Sequence, residues 1–576
     1  MVEHGEGTFS DLRRMSKCEL AMRRADAKRA RSAGGDARPD LQRLDLRGEL
    51  LSQVNFDHSD LLSASFECAR LQGASFIGAD LTGASLRFAD LRNAVLRGST
   101  LDGADLRDSD LNNCDLRNSS LVGAKLEGAA GLQVKWLAGA DLTCAGLPSD
   151  VGSFESLKHV NEVSQIARPI FLTIITICFY SLLTLATTKD ADLLTNTAAS
   201  ALPVIQTEFP IAWFYLVAPF VIVLVFVYFH LYLQRLWAAL AALPAIFPDG
   251  QSLDKKAYPW LLNGLVRANF ERLRKDRARV SYLENAVSIF LVWWLVPLTI
   301  SLFWSRYLSR QDWPGTHTQI ACIVAAIGLG AASFRSMSAY LRDFEEATIS
   351  NRALFKKWAV FSGSFVTVFT LAFYLGSLGI LQGAPPGAGG DSATHRLNVV
   401  PMLFDGFGYT PYAYLQERDV SIKPPSWTGA QNIEVVRGAD LRGRRLRYAN
   451  AVRAFLVNAD LRETDLSGAN LTNADLRGAR LQEATLNSTN LTNADLTKAN
   501  LAKANLAKAD LTNAELRGAK LNEATLAGTN LLGANFSDAN LSSVKGLSPK
   551  QLALACGNSE TLLPAGFTIT LCPEPI

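Results

Sequence analysis

Histidine is scarce in this chain, with six among 576 residues, and no two lie close in sequence. None has a cysteine or carboxylate at metal-ligand spacing, so no zinc or other metal centre is expected. Eight cysteines are too few for so long a chain to be a disulfide scaffold. Cys68, Cys114, Cys144, Cys178 and Cys322 read as isolated small residues, and no catalytic cysteine is expected. Net charge is nearly absent, at +3. That excludes a strongly basic nucleic-acid binder and a strongly acidic nucleic-acid mimic as readings of the whole chain. Also missing are a phosphate-binding P-loop, a G-x-S-x-G elbow after a strand and an H-E-x-x-H pair. No catalytic residue and no cofactor is expected, and the chain reads as non-enzymatic.

What the chain does have is repetition. From Leu41 to Leu126 every fifth residue is Leu or Phe, 18 centres without a break. From Leu441 to Leu541 there are 21 centres, and only Ala451 is neither Leu nor Phe. Alanine most often stands two residues before each centre and a polar residue one before, as in GADLTGASLRFADL and TNADLTKANLAKANL. A period of five fits neither a helix nor a flat strand, because both would scatter the Leu positions over opposing sides. A turn in every repeat lets each Leu point to one axis.

These residues resemble the pentapeptide-repeat family, A-(D/N)-L-x-x. The resemblance implies two right-handed quadrilateral β-solenoids with four repeats per coil, flanking a central helical transmembrane domain. Residues twenty apart would then stack. Asn450, Asn470, Asn490, Asp510 and Asn530 would form one polar ladder, and Lys498, Lys503 and Lys508 would fall on three successive faces of one coil. Both groups are candidate partner-binding residues, against the simpler expectation of coil-to-coil contacts and a solvated surface. The centres shift by one after Leu126, to Leu137 and Leu142, and Trp136 is placed to cover the last coil.

Five apolar runs separate the arrays, at 169–187, 211–233, 286–304, 318–334 and 358–381, and none contains Asp, Glu, Lys or Arg. Each approaches the roughly 20 residues that span hydrocarbon, with 318–334 the shortest. The expected order is a basic arm (1–38), a first solenoid (39–145), a linker (146–167), a transmembrane domain of about five helices (168–382), a second linker (383–436), a second solenoid (437–545) and a C-terminal cap and tail (546–576). Arginine and lysine concentrate before the first run and in 234–285 and 335–357, so these segments and the N-terminus are expected to be cytoplasmic. Five spans put the second array on the opposite side; a re-entrant 318–334 puts both arrays in the cytoplasm. Cys556 and Cys572 would pair in an oxidising compartment and stay reduced in the cytoplasm.

The central segment resembles bacterial membrane-bound pentapeptide-repeat proteins of unassigned activity, which implies a multi-pass protein of the bacterial inner membrane. Its partners are then the lipid bilayer and proteins on the solenoid faces, with no nucleic acid expected. The favoured function is a membrane-anchored, non-enzymatic scaffold. Membrane transport is the alternative, weakened by the uncharged spans, where His230 reads as interfacial. Some soluble members of the family mimic B-DNA and bind gyrase. Residues 41–142 hold 10 basic and 14 acidic side chains, and 439–543 hold 13 and 11. A rod of about 22 Å would need a charge of about −13 to match DNA.

Overall fold

The computed structural model describes residues 41–152, 154–195, 210–257, 265, 280–342, 367–378, 412–424, 427 and 433–573. The basic N-terminal arm and most of the basic segments 258–279 and 343–357 lie outside the described residues.

Both arrays are β-solenoids of one design. In each repeat the centre and the small residue two positions earlier turn inward, and in the middle coils both are essentially unexposed, as with Ala499, Leu501, Ala504 and Leu506. The second residue after each centre takes a left-handed backbone, φ 57° at Asn473, 60° at Lys498 and 64° at Gly518. Glycine and asparagine tolerate this conformation best, which explains their abundance there. The corner is closed by a bond such as Ala494 N–H to the Leu491 carbonyl, 3.0 Å. Successive coils are tied by parallel bonds, for example Leu486 N–H to the Asn505 carbonyl at 2.7 Å, so bridge partners lie twenty apart. Where threonine replaces the inward alanine, its hydroxyl is satisfied by backbone: Thr464, Thr489 and Thr529 donate to the carbonyls of Leu441, Leu466 and Leu506, each at 2.9 Å.

Because each coil contacts only its neighbours, damage to one is felt by the stack. Leu501→Ala should destabilise the second array by about 2–5 kcal/mol, while Lys508→Gly, which relieves a left-handed residue, should leave it unchanged or raise it slightly. Urea unfolding followed by far-ultraviolet circular dichroism separates the two; equal midpoints would contradict the axial packing.

Four helices are long and apolar enough to cross a membrane: α1 (Glu155–Thr187), α3 (Ile211–Ala241), α4 (Leu283–Arg310) and α5 (Trp313–Arg342). A six-residue helix, α2 (Asp190–Thr195), follows α1, and α6 (Thr367–Leu378) is shorter and apolar. The shortest sequence run, 318–334, thus sits inside a helix of 30 residues, whereas only part of the run 358–381 is described. Large apolar side chains stand exposed on these helices, including Phe179, Phe220, Leu224 and Leu231. So much exposed apolar surface is characteristic of a lipid-facing boundary.

The chain divides into two compact units. The first comprises residues 1–175, 225–295 and 328–363, the second 176–224, 296–327 and 364–576.

In the first unit a short 3-10 turn, Val134–Leu137, absorbs the extra residue after Leu126, and the solenoid continues: Asn118 N–H reaches the Ala138 carbonyl and Leu121 N–H that of Asp141. Trp136 therefore does not cover the last coil; its ring lies against the Arg117 guanidinium, 5.5 Å away. The cover comes from the chain after α3. Ile246 bridges Asp141, Leu142 N–H donates to the Ile246 carbonyl at 3.0 Å, and Phe247 is fully buried edge-on to Phe154.

In the second unit, residues 412–422 supply an extra partial coil, with Tyr414 bridging Asn450 and Asp419 bridging Phe455. The other end is closed by a capped helical turn, Pro549–Leu552, and by parallel strands β1 (Cys556–Gly557) and β2 (Thr570–Leu571).

Candidate interaction faces and the membrane anchor

The twenty-residue register gives the second array four flat faces, and their chemistry differs. Three carry ion pairs. Arg462 holds Asp460 at 2.5 Å and Arg442 holds Glu463 at 2.5 Å on one. Arg477 bridges Asp475 at 2.7 Å and Asp495 at 3.6 Å on another. Arg447 lies 3.7 Å from Asp465 on the third. The hydrogen bond from Arg462 holds the Asp460 carboxyl below its usual value. Such surface pairs contribute little individually, about 0–1 kcal/mol.

The fourth face is the expected asparagine ladder. Asn450, Asn470, Asn490, Asp510 and Asn530 stack as successive bridge partners. Two residues further on, Thr472, Thr492 and Thr512 form a parallel column. The side-chain oxygens mostly cap the local turn, as Asn490 Oδ1 accepts from Thr492 N–H at 3.0 Å and Asp510 Oδ1 from Thr512 N–H at 3.0 Å. Ladder side chains join adjacent coils only at the ends, where Asn450 donates to Gln416 and Asn530 to Asp510. Between them, Asn470 and Asn490 turn partly exposed amide groups outward, and backbone bonds hold the coils. Above Thr512 stands Leu532, about half exposed.

Lys498, Lys503 and Lys508 are exposed at three consecutive left-handed corners, φ 60°, 58° and 58°. They face three directions and form no single basic patch; Lys503 lies 3.8 Å from Glu483.

The second array is anchored by a buried cluster that the loop charges alone did not reveal. Asp190, at the start of α2, is ion-paired with Arg306 of α4 at 2.6 Å and accepts the Tyr414 N–H at 2.7 Å. Arg306 also donates to the Thr188 carbonyl at 2.6 Å, and Arg310 to that of Leu193 at 2.8 Å. Burial pushes the Asp190 carboxyl above its usual value, while Arg306 and the Tyr414 N–H pull it back. From the same helix Ala191 and Leu194 enter the solenoid core beside Leu415, Leu441 and Leu446. A further bond runs from the Gln311 amide to the Arg447 carbonyl, 3.0 Å.

In the first array the repeated Asp-Leu-Arg motif makes local bidentate pairs. Arg92 grips Asp90 at 2.6 Å and drives its carboxyl down to about 2. The folded value lies below the free value of 3.8, so this stabilisation is present above pH 3.8 and is lost as pH falls through about 2. Asp90→Asn should therefore lower the urea midpoint slightly at pH 6 and by much less at pH 2; a difference that persists undiminished in acid would refute the pairing.

Among the described residues no group of three His, Cys, Asp or Glu side chains is arranged to hold a metal. His159 does meet Glu162 one helical turn away, at 3.9 Å, but both are exposed. His230, read as interfacial, is buried within the protein, with Nδ1 2.7 Å from Ser333 Oγ and the Phe226 and Phe229 rings against it. Nearby, Phe290–Trp294 forms a π-helical turn within α4, and Trp293 lies 6.3 Å from the imidazole. Cys556 and Cys572 form a disulfide. Cys144 is disulfide-bonded as well, contrary to its reading as an isolated residue. With a disulfide-bonded cysteine in each unit, cysteine pairing assigns neither array to a side of the membrane.

The family model for pentapeptide repeats matches at 63–98, 99–130, 437–478, 479–518 and 509–545. Three solved structures show the same kind of likeness. A pentapeptide repeat protein from the cyanobacterium Cyanothece 51142 is 29% identical, over 22% of this chain and 90% of its own, with a TM-score of 0.16. One from the Arabidopsis thaliana thylakoid lumen is 34% identical, over 18% and 72%, with a TM-score of 0.13. QnrB1, a plasmid-mediated fluoroquinolone resistance protein, is 20% identical, over 21% and 78%, with a TM-score of 0.17. No curated protein matches the chain. With unbroken five-residue repeats, left-handed corners and twenty-residue bridges in both arrays, the chain belongs to the pentapeptide-repeat proteins, its two arrays flanking a central region of apolar helices.

Proposed function

We propose that the protein is a non-enzymatic, membrane-anchored scaffold, and that the asparagine–threonine face of the second array is its docking face for a protein partner. The observation that carries this reading is the contrast between faces: three carry ion pairs through the array, whereas the ladder face is ion-paired at its first coil, Arg453 with Glu417, and then carries Asp510 as its single charge along four coils. The centres of protein interfaces are depleted in charge, because a charged group loses hydration on docking. The Asp190–Arg306 cluster favours rigid presentation of this face from the helices. Loop charge supports an N-terminus in the cytoplasm of a bacterial inner membrane. Neither array carries the negative charge of a DNA mimic, and His230 closed in by Ser333 and aromatic rings gives transport no support.

The test uses full-length protein purified from membranes with its bound proteins. Asn490→Lys together with Thr492→Lys should remove the co-purifying partner at least tenfold. Thr497→Lys, on an ion-paired face of the same coil, should leave it in place. If both variants keep the partner, the docking face lies elsewhere.

A further inference from the structure

The first array holds an aromatic residue where its geometry least favours one. Phe88 occupies a corner position with φ 55°, and its side chain is 50% exposed. Neighbouring corners are filled by Gly73, Gly78, Gly83, Asn93 and Gly98, which adopt the left-handed backbone readily. The second array also has an aromatic corner, Tyr448, φ 57°. That one is explained internally: Tyr448 packs edge-on to Tyr412 at 5.6 Å and occupies the space above Gly468. Phe88 has no ring partner among the described residues. Its one described aromatic contact is the Arg87 guanidinium, 5.0 Å from the ring centre.

Arg87 is itself an exception. Elsewhere in this array the arginine after a centre is ion-paired, either with the aspartate before that centre, as Arg47 with Asp45, Arg92 with Asp90 and Arg107 with Asp105, or with one in the next coil, as Arg97 with Asp115. Before Leu86 stands Ser85. The aspartate stacked on Ser85 in the next coil, Asp105, is already held by Arg107, and Arg87 reaches it only by longer-range attraction. The Arg87 Nε is buried without a hydrogen-bond partner.

We infer that Arg87 and Phe88 form a docking point for a protein segment that presents a carboxylate beside an apolar side chain. The ring offers apolar area and the guanidinium a positive charge with no ion pair among the described residues, the pairing enriched at the energetic centres of interfaces. An exposed aromatic at a left-handed corner, with no ring partner among the described residues, points to a contact outside the fold. The surrounding face favours this partner over a polyanion. Outward positions around centres 46 to 126 on that side carry five acidic and four basic side chains. That nearly balanced face gives nucleic acid or an anionic lipid surface no extended positive field, whereas one carboxylate placed against Arg87 meets a cation that has no ion pair of its own.

This site is on the other array from the proposed docking face, so its failure leaves that proposal standing. The full chain in nanodiscs is passed over two immobilised dodecapeptide libraries. One has Asp or Glu adjacent to Leu, Ile or Phe; its match has Asn or Gln instead. The wild type should be retained at least tenfold better on the carboxylate library. Arg87→Gln and Phe88→Gly should each abolish that preference, while Arg92→Gln, whose parent side chain is tied to Asp90, should keep it. Phe88→Gly should also melt no lower than the wild type, because glycine suits the corner, so lost retention cannot be blamed on unfolding. Equal retention on both libraries overturns the inference, as does full retention of Arg87→Gln or Phe88→Gly, or equal loss in Arg92→Gln. Arg87-dependent binding to phosphatidylserine vesicles without peptide preference would assign the corner to lipid and overturn it too.

Discussion

Replacing Asp190 by alanine should destabilise the second unit by up to about 3–5 kcal/mol, because it leaves the partly buried Arg306 guanidinium without its counter-ion. Arg306 would keep its bond to the Thr188 carbonyl and lose its 2.6 Å ion pair, and the Tyr414 N–H would lose its acceptor. The loss should appear as early proteolysis of the second array at its N-terminal end, where α2 enters the core. Asp190→Ala combined with Arg306→Met should recover part of the stability, since the uncompensated charge is then gone. The measurement is the unfolding midpoint of the full chain in nanodiscs, with proteolysis mapping which coils open first. If the single and double variants unfold alike, the pair is not the anchor.

Phe247→Ala should produce a comparable loss, about 3–5 kcal/mol, in the first unit. Phe247 is fully buried, with the Phe154 ring at 5.0 Å and the Lys256 ammonium at 4.6 Å on its face. Its removal opens a cavity beneath the segment that covers the last coil. Hydrogen exchange gives the readout: amides of Gly139, Leu142 and Cys144, which donate to the Leu243, Ile246 and Pro248 carbonyls, should lose protection before those of the middle coils. Uniform loss of protection along the array would contradict a local cap.

The solenoids were legible in the sequence because every inward position repeats the same two demands, a small residue and a Leu or Phe, at a fixed interval. The stacking of Asn450 through Asn530 followed from arithmetic on that interval. The caps were not legible, since they come from chain far away. Nothing in Ile246 or Phe247 marks them as the continuation of a coil ending near Gly146, and Asp190 looks like any polar residue at a helix end. Trp136 misled for a related reason: a bulky aromatic at a register shift suggests a lid, yet a single 3-10 turn lets the coils carry on past it. His230 was read from its place near the end of an apolar run, but α3 extends to Ala241 and leaves it inside a helix contact with Ser333. The Arg87–Phe88 corner was visible as letters, and only the backbone angle showed what is unusual about it.

The distant origin of the first cap has a consequence for biosynthesis. Residue 146 leaves the ribosome well before residue 243, and α1 and α3 lie between them. At about 5–20 residues per second, elongation across this gap takes roughly 5–20 s. During that interval the nascent solenoid has an unfinished end, with Leu142 unbonded and no Phe247 to seal it. Completion of the first array therefore waits for the helical hairpin to be made, so a ribosome that stalls before residue 243 leaves a rod with an open edge that quality-control proteases can recognise.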